Sequence, residues 1–113
     1  MIGQERSATI DILPWDEVIT IVNIFGNLDY KNANSLRSQI NLVVKTSPRV
    51  LVINMQNVEF IDSSGLGVLI TILKAMRANG GKLLLSGMQE YIVNFFEITQ
   101  TNNLFETCNS FFL

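Results

Sequence analysis

The sequence predicts an α/β fold, in which a mixed, mostly parallel β-sheet follows an N-terminal hairpin and is packed with α-helices. Two short β-branched runs flank a proline-containing turn near the N-terminus, and residues 50–53 form a continuous apolar run typical of a strand buried on both faces. Segments with helical spacing then alternate with further strands, which favours a parallel sheet. We predict a single domain over residues 1–113, because a chain of this length forms one core.

The N-terminal hairpin is predicted from two strands and the turn between them. In residues 8–13, Ile10 and Ile12 alternate with polar residues, a pattern typical of a half-buried edge strand. Residues 14–17 (Pro-Trp-Asp-Glu) predict a turn, because proline fixes the φ angle that a type I turn needs at its second position. The β-branched run 18–25 predicts the second strand.

A first helix and a central strand are predicted next. After residues 26–29 (Gly-Asn-Leu-Asp), apolar residues recur with helical spacing at Ala33, Leu36, Ile40, Val43 and Val44. Asp29 lies where this helix is expected to begin, and residues 46–48 (Thr-Ser-Pro) end it. The apolar run 50–53 then predicts a central strand.

The remaining elements alternate in the same way. We predict a helix over residues 63–79 that ends at Gly80-Gly81, a strand over 82–86, and a helix over 89–98 with Ile92, Phe95, Phe96 and Thr99 on one face. Leu104 and Phe105 offer a possible last strand. The sequence leaves open on which side of the sheet each helix packs.

Composition and charge exclude several classes of partner. The net charge is −2 and the basic residues are scattered, so neither nucleic acid nor a membrane surface is an expected partner. No apolar run approaches the ~20 residues of a membrane helix. The first seven residues lack the apolar core of a secretory signal, and we therefore expect a cytoplasmic location.

The residues that enzymes use most often are scarce. The chain has no histidine, and its one cysteine, Cys108, cannot form an internal disulfide. These absences remove the familiar zinc sites and Cys-His nucleophiles, and no phosphate-binding Gly-x-x-x-x-Gly-Lys-[Ser/Thr] loop is present. We expect a protein that binds other proteins, with no catalytic residues, no metal and no cofactor.

The most distinctive segment is residues 62–67 (Asp-Ser-Ser-Gly-Leu-Gly), between the central strand and the second helix. The side-chain oxygens of Asp62, Ser63 and Ser64 can accept hydrogen bonds from a first helical turn, so simple capping accounts for them. A phosphate on Ser63 or Ser64 would also lie at this helix N-terminus, where unpaired N–H groups and the dipole favour an anion. It would add about −1.5 to −2 charge and leave the domain folded.

The second helix has two unlike faces. The face predicted to pack on the sheet consists of Leu66, Leu69, Ile70, Leu73 and Met76. The opposite face is small and uncharged, and consists of Gly67, Val68, Thr71, Ala75 and Ala78. We interpret it as a docking surface for a protein partner, the alternative being a cover formed by the chain's own tail or by a second subunit.

These segments resemble a known family. Residues 50–55, 58–61 and 62–68, with the Gly80-Gly81 stop, are similar to the STAS domain of bacterial anti-sigma-factor antagonists. The similarity extends upstream to residues 26–29 and downstream to residues 95–99, so that it covers residues 8–107 in order.

The resemblance implies a phosphorylation site and a set of partners. In this family the first serine after the aspartate is phosphorylated, which here is Ser63, in an environment formed by Asp29, Asp62, Ser64 and Gly65. The implied partners are an anti-sigma factor that is also a serine protein kinase, whose binding ends on phosphorylation, and a serine phosphatase that restores it. The nucleotide in this cycle belongs to the kinase.

Two other interpretations remain open. A scaffold module in a larger signalling or stress-response assembly would use the same small face without depending on Ser63. A hydrolase would use Asp29 and Asp62, but the sequence supplies no base, metal cluster or oxyanion arrangement beside them.

Overall fold

The computed structural model of the chain describes residues 7–108. In chain order the elements are β1 (Thr9–Pro14), β2 (Ile19–Phe25), α1 (Ala33–Val44), β3 (Val50–Asn57), α2 (Ser63–Ala78), β4 (Lys82–Ser86), α3 (Glu90–Ile98), a 3-10 turn (Asn102–Leu104) and β5 (Glu106–Cys108). None of the helices described here combines the length and apolarity that a membrane crossing requires.

The five strands form one sheet in the order β1-β2-β3-β4-β5. β1 pairs with β2 in antiparallel fashion, and each later pair of neighbours is parallel. The predicted fold class, the N-terminal hairpin and the central position of β3 are therefore confirmed.

All three helices lie on the same face of the sheet, a point that the sequence left open. The three parallel connections step to the next strand in the same direction, and right-handed crossovers then place every helix on one side. The hydrophobic core accordingly joins residues of all three helices to alternate strand residues, namely Val22, Ile24, Leu51, Ile53, Met55, Leu83 and Leu85. The other face of the sheet carries no described helix.

Several element boundaries differ by one residue or more from the sequence predictions, and two of these differences have a clear local cause. Pro14 is the last residue of β1, and the turn is instead held by Asp16, whose Oδ1 accepts hydrogen bonds from the N–H groups of Val18 at 2.8 Å and Ile19 at 2.7 Å. At the other end, Leu104 lies in the 3-10 turn and β5 begins only at Glu106. In both places a local hydrogen bond or turn, which the apolar pattern does not encode, fixes the strand end.

The buried face of α2 is wider than predicted, because α2 packs against both the sheet and α1. Val68 was assigned to the outward face, but its side chain is fully buried in the core, so this assignment is wrong. Ile72 is buried beside it, whereas Ile70, predicted to be inside, is only half-buried.

Candidate functional site

The Asp62 carboxylate joins the start of α2 to the loop that follows β2. Its Oδ1 accepts hydrogen bonds from the N–H groups of Ser64 at 2.9 Å and Gly65 at 3.1 Å. Its Oδ2 accepts a hydrogen bond from the N–H of Tyr30 at 3.1 Å. Asp62 is thus the N-cap of α2, as the capping interpretation predicts, and it also ties that helix to a segment 32 residues earlier in the chain.

The backbone of the same loop lies directly against the first turn of α2. The N–H of Leu28 donates to the carbonyl oxygen of Phe60 at 2.9 Å, and the N–H of Asp62 donates to the carbonyl oxygen of Leu28 at 3.3 Å. A Cβ on Gly65 would lie 1.9 Å from that Leu28 oxygen. Gly65 therefore permits a close approach that no other residue type allows.

Asp29 lies in the turn before α1 and not at its first residue. Its Oδ1 accepts a hydrogen bond from the N–H of Asn32, the N-cap of α1, at 3.1 Å. It also borders a surface depression of about 420 Å³ that includes Lys31 and Glu59. Asp29 and Asp62 thus hold two neighbouring turns, and both carboxylates serve as backbone caps.

Ser63 is the first residue of α2, and its side chain is exposed to solvent. Within the described range 7–108 its hydroxyl makes no hydrogen bond, whereas Ser64 next to it is half-buried. The expectation of several unpaired N–H groups at this helix start needs correction, because Asp62 already occupies those of Ser64 and Gly65. A phosphate on Ser63 would extend into solvent beside a carboxylate.

One strip of α2 is accessible from solvent along the length of the helix. We call it the α2 stripe, and it consists of Ser63, Gly67, Ile70, Thr71, Lys74 and Ala78, each of which is exposed or half-buried. A Cβ on Gly67 would meet no heavy atom within 4 Å, so the space over this residue is open. Ala75 lies at the border, since it is half-buried and packs against the core.

Two aromatic residues beside the stripe were missed by the sequence reasoning. Tyr30 is 69% exposed and Phe60 is 48% exposed, and their backbones belong to the two segments that meet at the start of α2. No periodic pattern marks an isolated exposed aromatic side chain. The available signal was their position next to the motifs at residues 26–29 and 62–67.

The acidic side chains of this region hold the backbone and do not form a metal-binding cluster among the described residues. Within the described part of the chain, no group of three or more histidine, cysteine, aspartate or glutamate residues is placed to hold a metal ion. The two aspartates that a hydrolase would use are each engaged by backbone N–H groups.

Comparisons with known proteins agree with this fold. The STAS domain family matches residues 13–111. The anti-sigma-B factor antagonist of Staphylococcus aureus (strain NCTC 8325 / PS 47) is 31% identical over 83 residues, which are 74% of this chain and 77% of that protein. A crystal structure of an anti-sigma factor antagonist from Mycobacterium paratuberculosis has a TM-score of 0.82 at 25% identity and covers 93% of this chain and 88% of its own.

A more distant structure shares the fold alone. The Bacillus cell fate determinant SpoIIAA in its phosphorylated form has a TM-score of 0.67 at 16% identity, covering 90% of this chain and 93% of that one. The family match spans most of the sequence, and the relative from Staphylococcus aureus is similar over most of both chains. This chain therefore belongs to the STAS-domain family of anti-sigma-factor antagonists.

Proposed function

We propose that this protein binds an anti-sigma factor through the α2 stripe and the adjoining loop, and that phosphorylation of Ser63 ends that binding. The observation that carries the proposal is the position of the exposed Ser63 hydroxyl on the same surface as the open space over Gly67. The partner class is supported by the 31% identical relative, which is named an anti-sigma-B factor antagonist.

The surface around Ser63 is held in one geometry before any partner arrives. Asp62 fixes the first turn of α2 and the Tyr30 backbone together, and Gly65 allows the loop to lie against the helix. A preformed surface loses little conformational entropy on binding. Tyr30 and Phe60 add exposed aromatic area at its border, the kind of side chain that is enriched among the residues that dominate binding energy.

A phosphate on Ser63 would oppose binding by charge and by desolvation. The group adds about −1.5 to −2 charge, and a docked partner would have to remove water from it beside the Asp62 carboxylate. A hundredfold loss of affinity corresponds to ~2.7 kcal/mol, which a doubly charged group at a desolvated interface can supply.

The cycle needs two further activities, which we assign to partner proteins. The anti-sigma factor acts as a serine kinase, in which the Ser63 oxygen attacks the γ-phosphoryl group of ATP, ADP leaves and a base of the kinase takes the hydroxyl proton. A serine phosphatase then hydrolyses the phosphoserine with water and restores the hydroxyl. Such partners place the protein in the bacterial cytoplasm, and the protein itself acts as a binding partner and not as an enzyme.

The test is phosphorylation by the anti-sigma factor encoded in the same genome, with ATP and magnesium, followed by intact-mass measurement and localisation of the phosphate. We expect one added phosphate on Ser63, its loss in Ser63→Ala, and its retention in the matched control Ser64→Ala. A phosphate confined to another residue would contradict the assignment. Stable binding without any phosphorylation would favour the scaffold interpretation instead.

A further inference from the structure

The outer edge of β1 is the longer of the two edges of the sheet. β1 is the first strand in the sheet order, and its only strand partner among residues 7–108 is β2. It is six residues long, whereas β5 at the opposite edge has three. A long unpaired edge presents backbone donors and acceptors on which another chain can form a strand.

The hydrogen bonds of the hairpin show which backbone groups of β1 face outward. The N–H of Trp15 donates to the carbonyl oxygen of Ile19 at 3.0 Å, so these opposed residues form a hydrogen-bonded pair. Opposed residues of an antiparallel ladder alternate between hydrogen-bonded and non-hydrogen-bonded pairs, and the register of β1 with β2 has no shift. The N–H and C=O groups of Ile10 and Ile12 therefore point away from β2, toward the open edge.

The side chains along this edge are apolar or acidic. Ile12 is 49% exposed and Leu13 is 38% exposed, and Asp11 beside them is also exposed. The hairpin turn adds the acids of Asp16-Glu17, and residues 7–30 contain no lysine or arginine. Edge strands are commonly protected from pairing by lysine, which this edge lacks. Its negative charge and apolar side chains instead complement a segment that is basic and apolar.

A second copy of this chain fits the same edge poorly. If two β1 strands paired in antiparallel fashion about a two-fold axis, a register centred on Asp11 would oppose two carboxylates. A register centred on Ile12 would bring in Pro14, which has no N–H to donate. A register centred on Ile10 would need the N–H of Ala8, which already donates to a side chain at the start of α1 at 3.1 Å. The edge therefore favours a different chain.

We propose that an extended segment of a partner protein, in which lysine or arginine alternates with apolar residues, binds beside β1 as an added strand of the sheet. Its backbone pairs with the outward groups of Ile10 and Ile12. Its apolar side chains cover Ile12 on the helix side of the sheet, where Ile12 is opposite the core residue Val22. Its basic side chains meet Asp11, because neighbouring strand residues point to opposite faces. This surface is separate from the α2 stripe and does not depend on Ser63.

The test is a titration of the isotope-labelled full chain with an acetylated and amidated heptapeptide of alternating lysine and valine, followed by nuclear magnetic resonance. We expect the largest amide shifts at Ile10 and Ile12, and hydrogen exchange of these two amides should slow on the order of tenfold at saturation, because their N–H groups gain acceptors. The matched peptide with glutamate in place of lysine should bind roughly three- to tenfold more weakly, because it opposes Asp11 with a like charge. No binding, equal binding of the two peptides, or shifts confined to the α2 stripe would overturn the proposal.

A charge reversal at the edge provides a second readout. Asp11→Lys should reverse the preference between the two peptides, since it exchanges the attractive and repulsive pairs. Glu97→Lys makes the same charge change at an exposed position of α3 and should leave the preference unchanged. A preference for the lysine peptide that persists in folded Asp11→Lys would overturn the proposal. So would protection of Ile10 and Ile12 that rises with protein concentration in the absence of peptide, because the edge would then bind a second copy.

Discussion

The α-carbon of Gly65 packs against the carbonyl oxygen of Leu28, so closely that an added Cβ would lie 1.9 Å from that oxygen. This contact fixes the loop after β2 against the start of α2. The same loop carries Asp29 and Tyr30, so the geometry around Ser63 depends on a buried glycine. Gly67, two residues later on the same helix, has no atom within 4 Å of its Cβ position.

Substitution of alanine for each of these two glycines should therefore change the free energy of unfolding in opposite directions. Gly65→Ala should lower the free energy of unfolding by about 3 kcal/mol or more, because backbone atoms would have to move. Gly67→Ala should raise it by ~0.5–1 kcal/mol, since alanine is the better helix former and space is available. Urea denaturation of both variants measures this difference, and equal effects at the two positions would contradict the packing described here.

Substitutions at Asp62 can distinguish the contributions that its two carboxylate oxygens make to stability. Asp62→Ala removes the cap and the Tyr30 contact together, and should cost ~1–2 kcal/mol of stability. Asp62→Asn keeps one carbonyl oxygen for the N–H groups of Ser64 and Gly65, so it should cost less than the alanine change. Thermal unfolding at neutral pH compares them, and an alanine variant as stable as the parent would show that the cap contributes nothing.

Most of the fold was predictable because its signals are local. Hydrophobic runs and the Gly80-Gly81 stop mark the limits of β4 and the end of α2 directly. The boundaries of β4 therefore agree with the prediction, and α2 ends only one residue earlier than predicted. Val68 was misplaced because helical periodicity reports one buried direction, whereas α2 meets both the sheet and α1. The apolar pattern of one helix does not reveal which second element that helix packs against.

The sequence marks the motifs of the candidate site, but it does not reveal the contacts that connect them. The hydrogen bond from Tyr30 to Asp62 joins residues 32 positions apart, and no local rule predicts it. The other carboxylate oxygen of Asp62 changes the expected phosphate environment, because it occupies N–H groups that the sequence alone leaves available to a phosphate. The exposed aromatic side chains of Tyr30 and Phe60 became recognisable only once the two loops were seen side by side.

Arginine substitutions along α2 should distinguish a docking surface from a packed one. Thr71 is exposed, so Thr71→Arg should change stability by less than ~0.5 kcal/mol while sharply weakening binding to the anti-sigma factor. Ala75 packs against the core, so Ala75→Arg should lose stability as well. Circular-dichroism melts and partner affinities measure both, with Lys45→Ala, at the C-terminal end of α1, as the control. Unchanged affinity of the Thr71→Arg variant for the anti-sigma factor would show that this helix is not part of the interface.

Phosphorylation of Ser63 should leave the fold nearly unchanged. The helix dipole favours the added charge by ~0.3–1 kcal/mol, but the neighbouring Asp62 carboxylate opposes it. We expect the melting temperature to shift by less than about 5 °C in either direction. Differential scanning calorimetry of the stoichiometrically phosphorylated protein provides the measurement. A large fall would indicate that the Ser63 hydroxyl is needed inside the folded domain.

The central claim is that one exposed hydroxyl controls partner binding, and its most direct test is calorimetric titration of the anti-sigma factor with unmodified and Ser63-phosphorylated protein. We expect the phosphorylated form to bind at least a hundredfold more weakly, a difference of ~2.7 kcal/mol, and Ser63→Ala to bind as the unmodified protein does. Equal affinities of the phosphorylated and unmodified forms would contradict the account.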